Sequence, residues 1–82
     1  MDGKTTLFDV SEIRKANISV TLKEVFLALE EKGYNPVNQL VGYLISGDPG
    51  YISSYKDARA KIVSLERSEI VAVLLKKYLE IR

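Results

Sequence analysis

The chain has 82 residues, of which 12 are basic and 11 acidic for a formal net charge of +1, and it contains neither cysteine nor histidine. That length allows one domain with a small core, and a hydrophobic share of 46% is enough to fold it. No disulfide or zinc site can form without Cys and His, no cofactor is implied, and the missing cysteine fits a cytoplasmic protein. A near-neutral domain exerts little long-range pull on nucleic acid or anionic membrane.

Residues 1–16 carry only Leu7, Phe8, Val10 and Ile13 as apolar members, without helical or strand period, and predict a flexible arm. Within it Lys4-Thr5-Thr6 sets two hydroxyls beside a cation, in a segment a protein kinase could reach. No apolar run is long enough for a signal peptide or a membrane span. The helical domain then covers residues 17–82. Ile18, Leu22, Val25, Phe26 and Leu29 share one face of a first helix ending near Lys32, with Asn17, Ser19 and Thr21 as alternative N-caps.

Gly33-Tyr34-Asn35-Pro36 punctuates the chain next: a glycine stop, an N-cap and a proline at the first helical position. Val37, Leu40, Val41, Leu44 and Ile45 form the stripe of a second helix, whose interior Gly42 predicts a close approach by another backbone. Gly47 stops this helix and Asp48-Pro49-Gly50 turns out of it. Beyond Tyr51 and Ile52, Ser53 or Ser54 caps a third helix that turns Tyr55, Ala58, Ile62 and Leu65 inward. The last helix, about 66–81, carries Ile70, Val71, Val73, Leu74, Leu75, Tyr78 and Leu79 over more than half its circumference. Such a helix needs cover on two sides, and in so short a chain a second subunit supplies it most simply. The expected architecture is all-α, a compact bundle of about four short helices with a flexible N-terminal arm, homodimeric.

Catalysis finds no constellation to work with. Asp48 reads as a turn residue, Asp57 as a first-turn charge favouring the helix dipole, and Glu66 with Arg67 as a solvated or interfacial ion pair, so a non-enzyme is expected. The second and third helices could imitate a helix-turn-helix, and nucleic-acid binding is the alternative function. Against it, only Lys56, Arg59 and Lys61 stand on the third helix, with Asp57 among them. Tyr34, Tyr43, Tyr51, Tyr55 and Tyr78 are many for this length and suit an interface or a partly buried position.

The frame of Gly33, Asn35, Pro36, Gly42, Gly47, Asp48 and Pro49, with Asn38-Gln39, Tyr51-Ile52 and Asp57-Ala58-Arg59 in register, resembles the IreB family of small regulatory phosphoproteins from Gram-positive bacteria. The resemblance implies a helical homodimer with an N-terminal arm phosphorylated on threonine by a transmembrane Ser/Thr kinase with extracellular PASTA repeats. It also implies a role in cell-envelope stress and cephalosporin resistance, with a downstream partner it does not name. The family's arm pattern Thr-x-x-Phe-x-Phe falls on Thr5, Phe8 and Val10, which makes Thr5 the carried-over phosphoacceptor, with Thr6 adjacent. Val10 stands in place of the second Phe, Ser53 in place of a usual Pro, Ser68 in place of Asp, and Ala72 and Val73 in place of acidic residues. Arg14, Lys15, Lys56, Arg59 and Lys61 are the candidate contacts for a phosphate or a partner.

Overall fold

The computed structural model describes residues 10–81, and all regular structure among them is helical. Thr5 and Thr6 lie outside the described residues, as do all of 1–9. Helix α1 spans Val10–Lys32, α2 Pro36–Ser46, α3 Ala58–Val63 and α4 Arg67–Leu79, with 3-10 turns at Pro49–Tyr51 and Tyr55–Asp57. The first helix therefore starts seven residues before the expected boundary at 17, so 10–16 are helical and Asn17, Ser19 and Thr21 lie in its interior rather than at its cap. Arg14, Lys15 and Ala16 are all compatible with a helix, and Arg14 is anchored to α4, which outweighs three weak capping signals.

The central punctuation acts as its residue types require. Asn35 caps α2 by accepting the N–H of Asn38 at 3.1 Å, and Pro36 takes the first helical position. Ser46 Oγ donates to the Gly42 carbonyl at 2.7 Å and accepts from the Asp48 N–H at 3.0 Å, while Asp48 Oδ1 accepts from the Gly50 N–H at 2.8 Å. Gly47 ends α2 in the left-handed region, φ +78°, where a side chain would be strained. Over it lies the guanidinium of Arg67, which donates to the Leu44 carbonyl at 3.1 Å and so joins the end of α2 to the start of α4. Arg67 is thus a helix-end clamp, where the sequence reads a solvated or interfacial ion pair with Glu66.

The close approach expected at Gly42 is real, but its partner is a ring. A Cβ built there would collide with Tyr51 Cδ1 and sit 3.0 Å from its Cγ. Tyr51 is carried back onto α2 by the tight 3-10 turn that Asp48 caps.

Helix α1 packs against α2, α3 and α4 and organises the core. Ile18, Val25, Ala28 and Leu29 of α1 meet Tyr43, Ile52, Ala58, Ile62 and Ile70, all buried, with Leu22, Leu40, Leu44, Tyr55, Leu65 and Val73 packed around them. Burial of each large aliphatic chain contributes on the order of 1.5–3 kcal/mol, so Ile52, completely buried from a loop, counts as much as any helical core residue. The α3 face follows its apolar spacing, and so does that of α1 apart from Phe26, which stays outside the core cluster. In α2 the stripe divides: Leu40 and Leu44 turn inward beside Tyr43, while Val37, Val41 and Ile45 face out, Ile45 at 79% exposure. In α4 only Ile70 and Val73 reach the core, which leaves Val71, Leu74, Leu75, Tyr78 and Leu79 uncovered.

Candidate functional site

The cations singled out in the sequence occupy two separate places. Three belong to the region of α3 and the turn before it. Lys56 Nζ pairs with Glu31 Oε1 at 2.8 Å and Lys61 Nζ with Glu24 Oε1 at 3.5 Å, both linking this region to α1. Arg59 Nε donates to the Ile52 carbonyl at 2.8 Å, holding the buried loop in place. The hydrogen bond from Lys56 holds the Glu31 carboxyl below its ordinary range, with Tyr55 adding to the effect, and the same bond raises Lys56. Tyr55 lies between two cations, with Lys32 Nζ 5.1 Å and Lys56 Nζ 5.7 Å from its ring centre.

This region is not built as a recognition helix. Lys56 and Asp57 stand consecutively in the left-handed region, at φ 51° and 62°. Asp57 therefore sits at the N-cap of α3 without a side-chain cap bond, not in the first helical turn as its sequence position suggests. Ser53 steadies the turn, its Oγ accepting from the Tyr55 N–H at 3.1 Å and its carbonyl from the Arg59 N–H at 3.0 Å. Only six residues of α3 follow, and each cation there already has a partner within the protein. Nothing in this arrangement favours the nucleic-acid reading.

Arg14 and Lys15 lie on the first turns of α1, against α4. Arg14 Nη1 bonds Glu69 Oε2 at 3.1 Å. Beside this pair, Lys15 and Ser19 of α1 face Val73, Lys76 and Lys77 of α4 across a groove of about 440 Å³, with Glu80 on its rim. Lys15 and Lys76 are half-buried and both line this groove. The sequence reading misses Lys76 and Lys77; the signal for them is a pair of lysines in the last turn of a helix, easily dismissed as complementing the dipole.

A third feature is apolar. Ser19, Leu22 and Phe26 of α1 and Val73, Leu74 and Lys77 of α4 line a mostly apolar groove of about 310 Å³, continuous through Ser19, Val73 and Lys77 with the basic one. Of the five tyrosines, Tyr43 is buried and Tyr55 half-buried, while Tyr34, Tyr51 and Tyr78 are exposed, Tyr78 at 86%. Among the described residues no charged side chain is buried, no three His, Cys, Asp or Glu side chains gather as a metal site, and no helix is long and apolar enough to cross a membrane.

The family model of the IreB regulatory phosphoprotein matches residues 3–80. The chain belongs to the IreB family. The match spans nearly the whole chain and includes Thr5 and Thr6 together with the punctuated frame and both lysine-bearing helices. A regulatory phosphoprotein role follows from membership of the IreB family, and the four α-helices among the described residues make the all-α architecture expected.

Proposed function

We propose that this chain is a non-enzymatic, homodimeric regulatory phosphoprotein of the bacterial cytoplasm. Its phosphoacceptor is Thr5, with Thr6 able to share or replace it, in an N-terminal arm distinct from the helical domain. The kinase is a transmembrane Ser/Thr kinase with extracellular PASTA repeats, and the output is the response to cell-envelope stress and cephalosporins through a downstream protein partner. The observation that carries this reading is the IreB match over residues 3–80, since it takes in the threonines as well as the folded frame. Each phosphate adds about −1.5 to −2 charges, enough to turn a protomer of formal charge +1 acidic. The uncovered apolar residues of α4 support the dimer.

The test is the intact mass and phosphopeptide map of the protein from its own cells, growing and under cell-wall stress, beside a Thr5→Ala, Thr6→Ala variant. A phosphate on Thr5 or Thr6 that the variant lacks, and that disappears when the kinase is deleted, is the expected result. An unmodified protein in every condition would overturn the reading.

A further inference from the structure

We propose that the groove between the first turns of α1 and the last turns of α4, lined by Lys15, Lys76 and Lys77, is the docking site for this chain's own phosphothreonine. This inference rests on the phosphoprotein reading above and names where the modified residue goes.

Reach decides between the two groups of cations. Thr5 precedes Val10, the first described residue of α1, by five positions, a maximal span of about 17 Å. Lys15 is five residues into α1, about 7.5 Å along its axis, and Ser19 about 13.5 Å. The α3 cations lie much further along the same helix: Lys61 is paired with Glu24 and Lys56 with Glu31, at axial positions about 21 and 31 Å from Val10. A phosphate on Thr5 or Thr6 of the same chain can reach the α1–α4 groove and falls short of Lys56.

Charge selects the same place. A phosphate dianion offers three acceptor oxygens, and lysine ammoniums bind it as point charges. Lys15, Lys76 and Lys77 bring three of them to one groove, with Arg14 beside it on Glu69. Among the described lining residues the one acid is Glu80, and the neighbouring Glu69 is already bonded to Arg14, with the terminal carbonyls of α4 nearby. Lys76 and Lys77 alone outnumber Glu80. Val73 and Ile81 supply an apolar wall that lowers screening.

The experiment uses the full chain carrying phosphothreonine at position 5, installed during synthesis so that no kinase is needed. Phosphorus NMR against pH should give a second phosphate pKa lower by about 0.5 or more than in a peptide of residues 1–9. Lys76→Gln with Lys77→Gln should return it to the peptide value, and Lys76→Arg with Lys77→Arg should not. Amide resonances of Lys15, Ser19, Val73, Lys76 and Lys77 should move on phosphorylation. Equal pKa values in chain, variant and peptide would overturn the proposal. So would shifts confined to Lys56, Arg59 and Lys61, shifts lost on dilution, which would place the phosphate on a second copy, or shifts seen only with phosphatidylglycerol vesicles. Absence of phosphate from cells would fail the functional reading alone and leave this measurement unaffected.

Discussion

Gly42 and Tyr51 illustrate how much one missing side chain decides. A methyl at position 42 meets the ring at its Cγ as well as at Cδ1, so tipping the ring is not enough and the 3-10 turn must move. Overpacking of this kind costs about 1–3 kcal/mol, against a gain of about 1 kcal/mol in helix propensity. Gly42→Ala should therefore lower unfolding stability by about 1 kcal/mol net, measured in urea. In a Tyr51→Ala background the same substitution should be neutral or stabilising; equal effects in both backgrounds would show that the ring is not what position 42 serves. The Lys56–Glu31 pair makes a second prediction at this scale. Glu31 is held low, so its contribution is present above its unfolded pKa and is lost as pH falls through the folded value. Lys56 is held high, so its contribution is present below its unfolded pKa and lost as pH rises through the folded one. Carbon NMR titration should place the Glu31 carboxyl below the ordinary glutamate range, and Lys56→Gln should bring it back. Both side chains are solvated, so the accompanying change in stability should be small.

Among the elements, α2 shows both the power and the limit of local signals. Its ends are legible because Asn35, Pro36 and Gly47 act on the backbone within a few residues, whatever packs around them. Asn35→Ala should cost about 1 kcal/mol in urea unfolding with the helical circular dichroism of the native state retained. A cost near zero would mean that the Asn38 N–H finds water equally good. The face of α2 is a different matter. Five apolar residues make a stripe, but only Leu40 and Leu44 of them turn to the core, beside Tyr43, leaving Val37, Val41 and Ile45 outside. The start of α1 is also set beyond local range, through the bond from Arg14 to Glu69, 55 residues away in sequence.

At the scale of the whole molecule, α4 has two unlike sides. One side closes the core through Ile70 and Val73, and the other presents Val71, Leu74, Leu75, Tyr78 and Leu79. Val73 does not extend that open side, since it packs inward. If a second subunit covers the face, sedimentation at micromolar concentration should find a dimer. Leu75→Glu with Tyr78→Glu should then give a monomer that keeps its helical signal, because both positions are outside the single-chain core. A wild-type monomer under these conditions would remove the dimer from the proposed function.

The amino-acid sequence by itself determined the helical class, the punctuation between α1 and the turn after α2, the inward faces of α1 and α3, and the family, because caps, stops and apolar spacing are short-range properties of the chain. The tertiary structure alone decided that Ile52 joins the core from a loop, that Arg67 clamps the end of α2, and that Lys15 shares a groove with Lys76 and Lys77. Each of these depends on where helices cross, and crossing is fixed by the fit of distant side chains, to which no local pattern is sensitive.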